Sequence, residues 1–242
     1  MNLIIITCEH GGNFIPLEYQ HLFKNAEDIL NSHKGWDPGA LLLSQALSEN
    51  LKLPLFYETT SRMLIELNRS LNHPSLFSSF TKSLTVAERY KIIDRFYLPY
   101  RNKVENTIKD FIDQRFTVIH LSIHSFSPVL NDVIRDCEIG FLYDPKRTAE
   151  KEFSWKWRNS LSNEKKEWRI KMNYPYKGTS DGFTTYLRKR FPESYSGIEL
   201  EVNQALFKEN TQKTIEIISN SLRKINFSMF LDNKKAPGKE PF

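Results

Sequence analysis

Leu3-Ile4-Ile5-Ile6-Thr7-Cys8 runs directly into Glu9-His10-Gly11-Gly12-Asn13-Phe14-Ile15-Pro16, and the reading of this junction decides the fold class. A short β-branched apolar run without alternation is the pattern of a strand buried on both faces. It stops abruptly at a carboxylate and an imidazole, which puts His10 at the carboxyl end of a strand, where ligands bind in open α/β sheets. Gly11 and Gly12 carry no Cβ, so the chain can turn sharply or approach a ligand closely there. A strand and glycine turn with an incidental histidine is the competing explanation, and the rest of the chain separates the two.

The design recurs. Phe116-Thr117-Val118-Ile119-His120-Leu121-Ser122-Ile123-His124 is a second apolar strand that ends in histidine and runs into Ser125-Phe126-Ser127-Pro128. Period-two alternation puts His120, Ser122 and His124 on one face. Ser196-Gly197-Ile198-Glu199-Leu200-Glu201-Val202-Asn203 alternates strictly, with Glu199, Glu201 and Asn203 on one face and Ile198, Leu200 and Val202 on the other. Carboxylates on a strand near the sheet centre cost free energy unless they serve a site. Further strands are expected over 53–57, 136–144 and 170–174. Helices are expected from Thr85, where Glu88 completes a capping box, on past Pro99 through Phe111, and over 151–161, 186–190 and 211–225. Residues 18–31 read as a loop or short helices.

With 242 residues, the chain is expected to form one α/β domain over 1–232, followed by a disordered tail over 233–242. Hydrophobic content of 40% beside 26% charged residues is ordinary for a globular protein, and no apolar run approaches the ~20 residues that cross a bilayer. Two cysteines, Cys8 and Cys137, build no disulfide framework, and a cytoplasmic location is expected. The formal charge of +5 comes largely from solvated runs such as Lys165-Lys166, Arg188-Lys189-Arg190 and Lys234-Lys235, unaccompanied by a nucleic-acid motif. The excess positive charge suits a small anionic substrate, and no nucleic-acid or membrane partner is expected.

Between the histidine-ended strands lies His33-Lys34-Gly35-Trp36-Asp37-Pro38-Gly39-Ala40. Pro38 suits the first position of a helix continued by Leu41, Leu42, Ala46 and Leu47, and Asp37 is then its expected N-cap. Arg62, Asn68 and Arg69 cluster in a segment without helical periodicity, which suits side chains reaching into a site, and guanidinium forks bind carboxylates. The glycine-punctuated stretch 173–182 is long enough to line a pocket, with Asn173 at its start. Two strand-end histidines, an aspartate and a late glutamate form the inventory of a mononuclear metal hydrolase. His10, Asp37 and His124 supply imidazole and carboxylate ligands for Zn²⁺ or another divalent metal, and Glu201 supplies the general base.

These motifs, in order, resemble the N-formylglutamate amidohydrolase family: Glu9-His10-Gly11-Gly12 with Ile15-Pro16, Trp36-Asp37-Pro38-Gly39-Ala40, Ser61-Arg62 with Leu67-Asn68-Arg69, Ser122-Ile123-His124-Ser125-Phe126, the 173–178 loop, and Glu199-Leu200-Glu201-Val202-Asn203. The resemblance spans most of residues 3–207. It implies a three-layer α/β/α sandwich with a mostly parallel mixed sheet, phosphorylase/hydrolase-like, and hydrolysis of an amide on a small acidic substrate. By the same resemblance His10 and His124 match metal ligands, Glu201 the catalytic glutamate, and Arg69 the residue that holds a carboxylate. Arg62, Asn68, Asn173 and Glu199 complete the expected substrate-binding set. Glu66 stands where the family often has aspartate, and Glu9 and Asn13 compete with Asp37 for the second ligand position. A peptidoglycan or peptide amidase, or a carboxypeptidase, using the same site is the first alternative, and a non-enzymatic basic binding protein is the second.

Overall fold

The computed structural model describes residues 2–235. In chain order the elements are β1 (Asn2–Cys8), a 3₁₀ turn (Leu17–Phe23), α1 (Glu27–Leu30), α2 (Ala40–Leu51), β2 (Leu55–Tyr57), α3 (Val86–Ile92), a π-helical turn (Ile93–Tyr97), α4 (Leu98–Asp113), β3 (Thr117–Phe126), β4 (Val129–Leu130), β5 (Val133–Ile134), β6 (Ile139–Leu142), α5 (Thr148–Glu164), β7 (Ile170–Met172), α6 (Phe183–Arg190), β8 (Tyr195–Asn203) and α7 (Gln204–Lys235). Six strands form the central sheet in the order β2-β1-β3-β8-β6-β7, and β4 and β5 form a separate two-stranded hairpin. Strands β2, β1, β3 and β8 are parallel, and β6 runs antiparallel to β8 with β7 parallel to it.

Helices cover both faces. On one side Ile4, Ile6, Ile119, Leu121, Ile123, Ile198, Leu200 and Val202 of the sheet pack with Leu43 and Leu47 of α2, Trp157 of α5, and Ile218 and Leu222 of α7. On the other, Ile5, Val118 and Tyr195 pack with Val104 and Ile108 of α4, Phe183 and Leu187 of α6, and Leu64, Ile65 and Leu67 of the connecting segment. The molecule is thus an α/β fold with a mostly parallel sheet between helical layers, as the motifs imply. The capping box at Thr85 forms, with its side chain accepting from the Glu88 backbone. The helical run then passes through the π-helical turn, and Pro99 falls in the first turn of α4, where its missing N–H is tolerated.

Two expectations change. Asp37 does not cap α2: the helix starts three residues later, after Gly39 at φ 85°, a left-handed conformation that favours glycine. A Cβ on Gly39 would also lie 2.3 Å from the Phe207 ring. The last helix is longer than its apolar spacing indicated, because α7 follows β8 without a loop and breaks at Asn210 before the 211–225 stretch. Of the tail expected over 233–242, residues 233–235 fall within α7 and residues 236–242 lie outside the described residues.

Candidate active site

The parallel register explains why groups so distant in sequence meet. His124 pairs with Glu201 and Ser122 with Glu199 across β3 and β8, while Thr7 pairs with Ser122 across β1 and β3. In-register strands carry aligned residues on the same face, so alternation sends His124, Glu201, Ser122 and Glu199 to one side. Just beyond the end of β1, Gly11 and Gly12 lie against the chain leaving β2: a Cβ on either would come within 2.8 Å of the Glu58 or Thr59 carbonyl oxygen. His10 leaves the sheet there, and its own carbonyl accepts from the Asp37 N–H at 3.0 Å. Ser125 Oγ donates to the Pro38 carbonyl at 2.8 Å, so the Asp37 segment is tied to the ends of both β1 and β3.

The two imidazoles face one carboxylate. Asp37 Oδ2 lies 3.3 Å from His10 Nδ1 and 2.9 Å from His124 Nδ1, and one ligand atom from each of these three buried residues falls within 4.8 Å of the others. Each ring is braced through its other nitrogen. His10 Nε2 is 2.5 Å from Glu66 Oε1, and Glu66 Oε2 accepts from Arg62 Nε at 2.8 Å. His124 Nε2 is 2.9 Å from Ser122 Oγ, which donates to Glu9 Oε2 at 2.7 Å. Tyr100 OH donates to the other Glu9 oxygen at 3.1 Å. Such carboxylate and hydroxyl partners fix the tautomer and aim of a metal-binding histidine.

Electrostatics follow this geometry. Burial disfavours a proton on His124, but the Asp37 hydrogen bond and charge, with Glu201 and Glu9 nearby, outweigh it and push the pKa up to about 10. Burial and Arg62 oppose a charge on His10, and Glu66 and Asp37 overcome them to raise its pKa. Asp37 is held far below the carboxylate range despite its burial, by the two histidines. Glu201 goes the other way. Burial, with Asp37 and Glu199 close, raises it to about 7 against the opposing pull of His124, and its Oε2 is buried without a hydrogen-bond partner among the described residues. A carboxyl poised near neutrality beside the His124 imidazole, with an oxygen unpartnered among the described residues, is suited to proton transfer.

These side chains open into a cavity of about 190 Å³, also lined by Arg62, Asn68, Arg69, Arg135, Tyr176, Asp181 and Glu199. A wider groove of about 620 Å³ between the 71–77 segment and α3 shares no residue with it. Of the residues singled out from sequence, His10, Asp37, Arg62, Asn68, Arg69, His124, Glu199 and Glu201 all meet here. Asn173 does not: its Oδ1 accepts from the Tyr143 and Gly178 backbone N–H groups at 3.1 and 3.0 Å, so it shapes the 173–178 loop instead of lining the cavity. Among the three competitors for the second ligand position, Asp37 alone touches both imidazoles. Glu9 lies behind His124 and accepts from Ser122 and Tyr100, and Asn13 Nδ2 is turned outward to Asn31 and the Leu30 carbonyl. Sequence reasoning left Glu66 without a role. The available signal was Arg62 and Glu66 four residues apart around Met63-Leu64-Ile65, since charges in an apolar segment must be paired to be buried.

The fold and the residues gathered at its sheet edge define a hydrolase of the amidase type. The chain belongs to the N-formylglutamate amidohydrolase family, whose family model matches residues 3–208. It is similar to the crystal structure of a gene product of Agrobacterium tumefaciens, with 25% identity over 92% of this chain and 91% of the other at a TM-score of 0.73. It shares its fold with the N-formylglutamate amidohydrolase from Ralstonia eutropha JMP134, with 19% identity over 94% of each chain and a TM-score of 0.67. No curated protein matches it. No helix among the described residues is long and apolar enough to cross a membrane.

Proposed function

We propose that this protein is a divalent-metal-dependent amidohydrolase that cleaves the C–N amide bond of a small carboxylate-bearing compound of the N-formylglutamate type. The observation that carries the reading is the convergence of His10 Nδ1, Asp37 Oδ2 and His124 Nδ1, with Glu201 near His124 and its Oε2 unpartnered among the described residues. The donor set fits zinc, which takes imidazole and carboxylate ligands at ~2.0–2.2 Å; a tetrahedral edge at those lengths is roughly 3.4 Å, close to the two Asp37 contacts. Three protein ligands leave a fourth position open, the arrangement of catalytic rather than structural sites.

A bound ion would supply Lewis-acid polarisation of the scissile carbonyl. The chain's own residues do the rest. Glu66 and Ser122 hold the two imidazoles so that both Nδ1 atoms point at Asp37. Glu201 takes the proton of the attacking water and returns it to the leaving nitrogen, a shuttle that needs a pKa near the operating pH. Glu199, whose Oε1 accepts from Thr184 Oγ1 at 2.6 Å, orients the neighbouring wall. The cavity volume of about 190 Å³ lies below the ~300–1,000 Å³ of pockets for drug-sized ligands. With the 173–181 loop contributing Tyr176, Lys177, Ser180 and Asp181 to the wall, this favours a small substrate over a glycan strand or peptide.

The test is elemental analysis of the purified protein together with hydrolysis of a panel of N-acyl amino acids. About one divalent ion per chain is expected, with activity lost on chelation and restored by metal. His10→Ala and His124→Ala should each lose the ion while the far-UV dichroism stays native. Full activity in rigorously metal-free protein refutes the metal role, and sub-stoichiometric metal with dispensable histidines favours a binding protein.

A further inference from the structure

Among the cations that line the cavity, Arg135 is buried with no carboxylate partner among the described residues. Arg135 follows the β4–β5 hairpin, is only 9% exposed and lines the cavity. Its guanidinium carbon stands 5.7 Å from the centre of the Phe126 ring and 5.1 Å from that of Tyr176. Its one side-chain hydrogen bond among the described residues runs from Nη2 to Tyr176 OH at 3.1 Å. The acids beside it in sequence are engaged elsewhere, since Asp136 and Glu138 both pair with Arg169. Of the other cavity arginines, Arg62 is paired with acids, whereas Arg69 is only half-buried and has a backbone acceptor. Arg62 has Nε and Nη2 on Glu66 and Nη1 3.4 Å from Asp37, and Arg69 donates through Nη1 to the Asp181 carbonyl.

Burying a guanidinium without a counter-ion is unfavourable unless an anion completes the site. Beyond the bond from Nη2 to Tyr176 OH, the guanidinium keeps N–H donors with no acceptor among the described residues, and such donors can grip a carboxylate through two parallel bonds. The cation also faces His33, whose charged form is disfavoured by burial first and then by Lys34, Arg135 and Arg62.

We infer that Arg135, braced by Phe126 and Tyr176, is the residue that binds the carboxylate of the substrate and sets the enzyme's preference for acidic amides. The inference rests on the reading of this cavity as the amide-hydrolysing site, and it assigns to Arg135 the recognition that sequence alone gave to Arg69.

Two measurements separate the inference from that reading. Binding of glutarate and of its uncharged diamide to the metal-loaded protein is followed by calorimetry, which needs no turnover. Hydrolysis of an N-acyl amino acid is compared with that of its carboxamide. Loss of a charge-assisted fork costs roughly 10- to 100-fold in affinity. Arg135→Met should therefore weaken glutarate by that factor and raise KM for the acid substrate similarly. It should leave kcat and the carboxamide substrate within a few-fold, and keep or raise the melting temperature. Arg135→Lys should recover part of the affinity. Glutarate binding lost in Arg135→Met without any hydrolysis by the wild type upholds the carboxylate site and refutes the enzyme. Hydrolysis that prefers the acid equally in wild type and Arg135→Met overturns the inference and leaves the enzyme standing, as does glutarate binding that the substitution leaves unchanged. A fall in melting temperature with unchanged affinity shows a packing role and also overturns it.

Discussion

The central strands have two faces, both buried, and they are built from opposite chemistry. On the α2–α5–α7 side β1, β3 and β8 present Ile4, Ile6, Ile119, Leu121, Ile123, Ile198, Leu200 and Val202, a continuous apolar layer. On the other side the same strands present Thr7, His120, Ser122, His124, Glu199 and Glu201, of which all but Glu199 are buried. That side is dry and hydrogen-bonded at its amino end and opens into the cavity at its carboxyl end. A neutral His120 satisfies the inner part: Tyr195 OH lies 2.7 Å from its Nδ1 and Thr7 Oγ1 2.6 Å from its Nε2. Further along, Ser122 and Tyr100 satisfy Glu9. Only at the end of the ladder does a buried group, Glu201 Oε2, lack a partner among the described residues. Polar alternation in a strand covered on both sides therefore signals a buried polar layer and not a wet surface, because each group in it must find a partner.

The sharpest way to break this contrast is on β8, where neighbouring residues face opposite layers. Glu201→Gln keeps shape and removes basicity, so turnover should fall roughly 10²- to 10⁴-fold. Metal content should hold, and stability should stay the same or rise, because an uncompensated buried carboxyl is gone. Glu199→Gln should be milder, since Glu199 is already engaged by Thr184; steady-state kinetics in the reverse order, with metal kept in both, would transfer the base to Glu199.

One residue away, Leu200→Ala opens a cavity in the apolar layer and should cost about 2–5 kcal/mol of stability by denaturant titration. Activity per folded molecule and metal content should be retained, and loss of metal in this variant would mean that the two faces are not independent. The smallest effect is expected deepest in the polar layer. Burial lowers His120 to about 4 against the ordinary 6.5. Between these values the unfolded chain takes up a proton that the native state refuses, so this group makes stability fall as pH falls from about 6.5 to 4. The limit is about 3 kcal/mol at 1.36 kcal/mol per unit. His120→Gln should flatten that part of the pH–stability curve, and an unchanged slope would mean that the native state accepts the proton at the ordinary pKa.

Much of this was legible in the chain. Period-two alternation separates Glu199 and Glu201 from Leu200 without any structure, because successive strand side chains must point to opposite faces. The apolar runs ending in His10 and His124, the capping box at Thr85 and the loop cluster of Arg62, Asn68 and Arg69 likewise follow from local rules, and the structure contains them. Asp37 carried two readings from sequence, helix N-cap and metal ligand. A residue before Pro38 at a helix start looks like a cap, and only the placement of its segment between the ends of β1 and β3 turns its carboxylate to the two imidazoles. Asn173 failed for the converse reason, since a polar residue at the head of a loop can as well hold the loop together as face a ligand, and its backbone partners Tyr143 and Gly178 are named by no local pattern. Sequence by itself determined the strands of the central sheet, the faces of β3 and β8 and most of the chemical inventory, because those depend on periodicities of two and 3.6 residues, whereas the β4–β5 hairpin was not among the expected strands. Tertiary structure alone decided that Asp37, and not Glu9 or Asn13, touches both imidazoles, that Glu66 and Ser122 brace them, and that Arg135 has no carboxylate partner among the described residues. Each of these depends on which strand ends lie side by side and which charges find a counter-ion, and both are properties of long-range register rather than of any stretch of chain.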